Sequence, residues 1–147
     1  MTRRLVYGLL PAAFGVLLTA AVAANAREAQ GRTVWDGIYT DAQAERGGAS
    51  YKQSCIGCHR DDLRGDNTAP SLVGESFTFL WGDMEVGELS ARIQKVMPPD
   101  RPGSLPVQTY IDIVAFILQK NAFPAGNQEL GADSDALHAR ITVTRPG

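Results

Sequence analysis

Cys55-Ile56-Gly57-Cys58-His59 decides how the rest of the chain is read. Two cysteines separated by two residues, with histidine directly after the second, is the attachment pattern of a c-type haem. Each thiol can add across one vinyl group to form a thioether. One turn of backbone between the thiols lets both reach the same edge of a macrocycle. His59 is then carried under the ring, where an imidazole nitrogen can bind iron. Ile56 and Gly57 crowd neither bond. The pattern predicts one haem c, held through Cys55 and Cys58, with His59 as an axial ligand.

Three other uses of the pair are weaker. A structural zinc site takes four ligands, but the chain has two cysteines and one further histidine, the distant His138. A redox dithiol expects a βαβ pattern around it, and none is visible. A disulfide between residues so close would shut a tiny loop and remove little entropy from the unfolded chain.

The N-terminus reads as an export segment. Arg3 and Arg4 supply a positive start, Leu5 to Ala24 is uncharged and largely apolar, and Ala24-Asn25-Ala26 is a small-x-small cleavage site. Cutting is expected after Ala26, which implies a periplasmic or equivalent exported location. The apolar run is also near the length that spans a bilayer, so an uncleaved membrane anchor is the alternative. Loss of residues 1–26 leaves 121 of the 147 residues, one small domain, and removes two arginines, taking the formal charge from −2 to −4. No basic stripe with interleaved aromatics points to nucleic acid. A mildly acidic surface suits a diffusing carrier or a docked subunit. A domain of this size has a limited core, of which a buried haem would form a large part.

The expected organisation is an N-terminal extension over 27–39, a domain over 40–126 and a C-terminal tail over 127–147. Arg27 to Gly37 reads as an extended lead-in, with Val34, Trp35, Ile38 and Tyr39 packing on the domain. Trp35 could alternatively serve an interface. Thr40-Asp41-Ala42-Gln43 matches a capping box that opens a helix running to about Cys55. Gly47, Tyr51 and Cys55 share one face of it. A glycine there costs helix stability, which is reasonable where another helix crosses closely. Arg60 to Thr68 is a polar loop. Asp61, Asp62 and Asp66 alternate with Arg60 and Arg64, which favours a solvated loop over a calcium site. Pro70 cannot be helix interior. Glu75 to Trp81 reads as a short helix with Phe77, Leu80 and Trp81 on one side.

The next helix spans about Val86 to Val96, with Leu89, Ile93, Val96 and Met97 at helical spacing and Pro98-Pro99 as its stop. After a loop, a helix over Val107 to Lys120 presents Tyr110, Ile113, Val114, Ile117 and Leu118. The tail beyond Gly126 is polar, with one weak turn over Ser134 to Ala139. Lacking a strong apolar face, it is expected to be dispensable for haem binding. No strand alternation is visible, so the fold class is all-α.

A haem iron has one further axial position, for which Met84, Met97 and His138 are the candidates. Thioether sulfur raises the reduction potential of such iron. Met97 follows His59 by 38 residues, enough to cross the macrocycle and return, and it sits where the helix gives way to Pro98-Pro99. Its alternative role is filler continuing the Leu89–Ile93–Val96 stripe. Met84 is second choice, and His138 reads as a surface side chain.

Over about Thr40 to Phe123 the chain resembles the class I c-type cytochromes. Cys55-Ile56-Gly57-Cys58-His59 and Val96-Met97-Pro98 match their haem-binding and distal-methionine motifs. Gly47 and Tyr51 match first-helix residues that cross the last helix, where Tyr110 and Val114 would meet them. The resemblance implies that the Pro70 carbonyl accepts the His59 N–H and that Leu72 and Trp81 pack against haem. More narrowly, Val34 to Thr40 and Met97-Pro98-Pro99 with Pro102 to Leu105 are similar to cytochrome domains associated with periplasmic quinoprotein alcohol dehydrogenases. Pro106-Val107 departs from the serine-proline start that such domains give the last helix.

The resulting expectation is an electron carrier with no catalytic residues, or a small electron-transfer subunit. His59 and Met97 are the expected iron ligands. Electrons would enter from a dehydrogenase and leave to a terminal oxidase or another cytochrome, with the haem edge near Cys55 and Cys58 as the exchange point. The rival is a catalytic or gas-binding haem protein, which would need an open distal site. The sequence offers no obvious distal His or Arg for one.

Overall fold

Thr40 starts the first long helix where the sequence places it. Its Oγ1 accepts the Gln43 amide at 3.2 Å, which satisfies one of the free donors at the helix start. The structure, a computed structural model, describes residues 31–145. The expected export segment and its cleavage site lie outside them. The described helices are α1 (Asp41–Ser54), α2 (Ile56–His59), α3 (Gly74–Trp81), α4 (Val86–Val96) and α5 (Val107–Lys120), with 3-10 turns at Val34–Asp36 and Asp135–His138. Among the described residues there is no strand, and two isolated bridges join Arg140 to Thr33 and to Glu85. No helix among them is long and apolar enough to cross a membrane.

α1 and α5 form the main helix pair. They meet at Gly47, where a Cβ would lie 1.8 Å from the Asp112 carbonyl oxygen, so a side chain of any size would force them apart. Next to it Gly48 faces the Phe116 ring, and the Tyr51 and Phe116 rings lie 5.2 Å apart. The closest approach therefore uses Asp112, Ile113 and Phe116. Tyr110, expected at this crossing with Val114, directs its hydroxyl to the Met97 carbonyl.

The second half of the expected capping box does not form, because Gln43 is fully buried and engaged elsewhere. Its Nε2 donates to Asp112 Oδ1 at 3.0 Å and to the Leu130 carbonyl at 2.8 Å, and its Oε1 accepts the Leu130 amide at 2.8 Å. Gln108 Nε2 also donates to Asp112 Oδ1 at 3.0 Å. Arg46 joins Asp112 at 3.3 Å and pairs with both Glu129 oxygens at 2.8 and 2.9 Å. Asp112 is 7% exposed. A carboxylate so placed is tolerated because three side chains donate to it.

This network docks the tail, and it explains why α5 is buried on every side from Tyr110 to Leu118 although its own stripe marks one face. Further on, the tail carbonyls and amides of residues 139–141 bond to Val34, Asp83, Met84 and Val86 at 2.8–3.0 Å. Leu130, Ala139 and Ile141 are fully buried. The tail thus packs on the core, which the expectation of a dispensable tail did not foresee. Its few apolar residues are widely spaced and hold through backbone bonds, which leaves no periodic signal. Truncation after Gly126 is expected to lower the urea unfolding midpoint and disturb the native haem spectrum. An unchanged midpoint and spectrum would contradict this packing.

Among its described residues, the lead-in is not extended throughout but forms a 3-10 turn at Val34–Asp36. Thr33 caps the 3-10 turn Val34–Asp36 in a reciprocal arrangement with Asp36. Trp35 packs edge-on to Phe123, with centroids 5.1 Å apart, and its Nε1 donates to the Thr142 carbonyl at 3.0 Å. α3 begins at Gly74 and buries Phe77 fully, with Trp81 half-buried. Leu80 is 48% exposed and does not share that side. α5 starts at Val107 as expected, with Pro106 at its N-cap and no side-chain capping bond.

Candidate functional site

α1 ends by handing its last hydrogen bond to Cys55, whose amide donates to the Tyr51 carbonyl at 2.8 Å. The chain turns there, and the Cys58 and His59 amides donate back to the Cys55 carbonyl at 3.3 and 3.0 Å. Cys55 and Cys58 therefore stand on one short turn, followed at once by His59. Tyr51, 1% exposed, donates its hydroxyl to the Arg60 carbonyl at 2.7 Å and holds the far end of that turn against α1. Burial raises the pKa of the Tyr51 phenol.

Both thiols are free, with Cys55 half-buried and Cys58 exposed. Burial pushes the Cys55 thiol up to about 11.

His59 is 7% exposed, and its Nδ1 lies 3.0 Å from the Pro70 carbonyl oxygen. A carbonyl can only accept, so Nδ1 carries the proton and Nε2 of the neutral ring keeps its lone pair. Nε2 is then the nitrogen open to a metal, with ring orientation fixed from behind.

Pro70 is presented by a turn built on Asp66. Asp66 Oδ1 accepts the Thr68 amide at 2.8 Å, the Thr68 hydroxyl at 2.6 Å and the Ala69 amide at 3.2 Å. Its Oδ2 accepts Arg60 Nη2 at 2.6 Å. The Thr68 bonds, helped by Ala69 and Arg60, hold the Asp66 carboxyl down at about 2. The loop reads as solvated from its composition, yet Asp66 shapes the segment that reaches His59. The sequence signal for this is an aspartate two residues before a threonine, the pattern of an Asx turn.

Because the folded pKa of Asp66 lies below its unfolded value, its contribution to stability is present above about pH 4 and lost as pH falls through about 2. Asp66→Asn is expected to unfold at lower temperature than wild type at pH 7, with the two midpoints converging as pH approaches 2. A gap that stays constant with pH would show that the carboxylate charge plays no part.

The remaining predicted site residues come from three segments. Leu72 is half-buried, bonds through its amide to the Leu63 carbonyl at 2.8 Å, and offers its carbonyl to Asn121 Nδ2 at 2.9 Å. Asn121, which the sequence reading missed, thereby ties this strand of loop to the end of α5. Trp81 is the last residue of α3 and packs half-buried on the core. Met97 is the C-cap of α4, half-buried, with its amide bonded to the Ile93 carbonyl at 2.8 Å. Hydrogen bonds link Cys55, Cys58, His59, Pro70 and Leu72 along one segment, while Met97 bonds to Ile93, Gly103 and Tyr110.

Of the other ligand candidates, Met84 has its carbonyl bonded to the Ile141 amide at 2.9 Å. His138 is exposed on the tail, with Nδ1 2.9 Å from Glu85 Oε2. Among the described residues no three His, Cys, Asp or Glu side chains gather as a metal-ligating set.

This donor set fits a covalently held haem: two free thiols on one turn, an imidazole with Nδ1 taken and Nε2 available, and half-buried apolar side chains at Leu72 and Trp81. Fold and site together define a c-type cytochrome. Residues 42–117, just over half of the chain, match the family model described as cytochrome C oxidase, cbb3-type, subunit III, and the chain belongs to that family. Membership implies covalent haem c and a role in haem-based electron transfer. No curated protein and no solved structure matches the chain.

Proposed function

We propose that this protein is an exported, single-haem electron carrier with His59 and Met97 as the axial iron ligands. The observation that carries the reading is the His59 ring, buried directly after the two free thiols with Nδ1 committed to Pro70. When bound, the haem supplies a one-electron ferric–ferrous couple. Cys55 and Cys58 would hold the macrocycle, Nε2 of His59 and the Met97 sulfur would be the protein's iron ligands, and Leu72 and Trp81 would exclude water from the ring.

The N-terminal segment would deliver the chain to the periplasm, where haem is attached after export. Electrons would enter from a dehydrogenase. The likeness of Val34 to Thr40 and of the Met97 to Leu105 loop to domains paired with quinoprotein alcohol dehydrogenases supports that donor class. The oxidase named in the family description supports a terminal oxidase as acceptor. Optical spectra of the purified protein test the reading. A reversible one-electron change, with a reduced form that binds carbon monoxide poorly, is expected. Ready carbon monoxide binding by wild type would favour an open distal site and contradict the carrier.

A further inference from the structure

The segment after α4 runs from Met97 to Leu105 and includes Pro98, Pro99, Pro102 and Gly103. Its two ends converge on one atom. Tyr110 Oη donates to the Met97 carbonyl at 2.9 Å and accepts the Leu105 amide at 3.3 Å. A phenol hydroxyl has one proton and accepting lone pairs, so both bonds stand together. Tyr110 is 1% exposed and lies in the first turn of α5, the helix seated against α1 at Gly47. Other bonds in the segment are weaker or purely internal. The Gly103 amide reaches the Met97 carbonyl at 3.4 Å, and the Arg101 and Ser104 amides bond to Pro98 and Arg101 within it.

We propose that Tyr110 is a positioning residue for Met97, which fastens the methionine-bearing segment to the α1–α5 pair and so opposes displacement of the sulfur from iron. The proposal rests on the reading of Met97 as a ligand. Met97 has left the helix, with φ −123° and ψ 149°, so its carbonyl has no helical partner, and of its two donors the Tyr110 hydroxyl at 2.9 Å is much closer than the Gly103 amide at 3.4 Å. Without the Tyr110 bond the Met97 carbonyl keeps only the long 3.4 Å bond from the Gly103 amide, and the segment is held by the Met97 amide and by the packing of Pro98 and Leu105, so the side chain is freer to swing away when another ligand competes.

The test uses the full haem-loaded protein and added imidazole as the competing ligand. Loss of one hydrogen bond of about 1.4 kcal/mol corresponds to tenfold in an equilibrium. Ferric Tyr110→Phe is therefore expected to bind imidazole about tenfold more tightly than wild type, while its reduced form keeps the ring-shifted methionine methyl signal. Tyr39→Phe serves as the structural control, because Tyr39 is equally buried and donates its hydroxyl to the Phe123 carbonyl at 2.5 Å. It is expected to lose stability and leave imidazole affinity within twofold.

Unchanged affinity in Tyr110→Phe overturns the clamp while leaving the ligand assignment standing. Equal gains in both variants also overturn it, since general loosening would then explain the effect. Persistence of the methionine signal in Met97→Ala overturns the ligand assignment and the clamp together. If Tyr110→Phe fails to fold, amide exchange of wild type decides the matter. The Leu105 proton is expected to exchange at least tenfold more slowly than an unstructured amide, and exchange at the unstructured rate overturns the clamp.

Discussion

Replacing Cys55 and Cys58 together by serine is expected to give a chain with no covalent haem and little native helix. Serine cannot form the thioethers, so the macrocycle would be held by axial ligation alone. The domain is small, and the fraction of surface buried on folding falls with size, so losing a large apolar group from its core weighs heavily. The half-buried Leu72, Trp81, Ile93 and Leu105 all pack at the edge of the core, and in the proposed holoprotein the ring covers such surfaces. Denaturing gel electrophoresis with haem staining, together with far-ultraviolet circular dichroism, reads both effects. A double variant that still carries covalent haem would rule out the attachment site.

Met97→Ala is expected to change the iron rather than merely the core. If the sulfur is a ligand, its removal opens the sixth position or admits water. The reduction potential then drops, since a ligand favouring ferrous iron has gone, and the ferrous protein gains carbon monoxide binding. If Met97 were core filler, the same substitution would cost about 2–5 kcal/mol of stability and leave ligation untouched. Proton NMR of the reduced protein separates the two, because an iron-bound methionine shows strongly ring-shifted methyl and methylene resonances. Signals that survive in Met97→Ala and vanish in Met84→Ala would transfer the assignment to Met84.

Both expectations were legible from local signals. The haem motif is a contiguous five-residue pattern, and the helices Val86–Val96 and Val107–Lys120 carry apolar repeats that end at proline or polar residues. Gly47 announced a close crossing, since glycine inside a helix is costly unless something needs the space. What the sequence concealed depends on long-range partners. Gln43 looked like half of a capping box, yet it is spent on Leu130 and Asp112, 87 and 69 residues away. The tail looked polar because its anchors are backbone bonds and isolated residues such as Leu130 and Ile141. Tyr110 looked like one more core position on an apolar stripe, and its hydroxyl partners lie across a loop whose path no periodicity describes. Asp66 sat among charges that suggested solvent, while its own bonds are local and shape the approach of Pro70 to His59.

The central claim is that Cys55 and Cys58 carry one haem. Lys52 and Arg60 flank the motif, so trypsin releases Gln53 to Arg60 as a single peptide. Mass spectrometry of that peptide from the purified protein is the most direct measurement. The account predicts one peptide bearing the mass of one haem, with neither thiol available to an alkylating reagent. Recovery of the same peptide without haem, with both cysteines alkylated or joined as a disulfide, would contradict it.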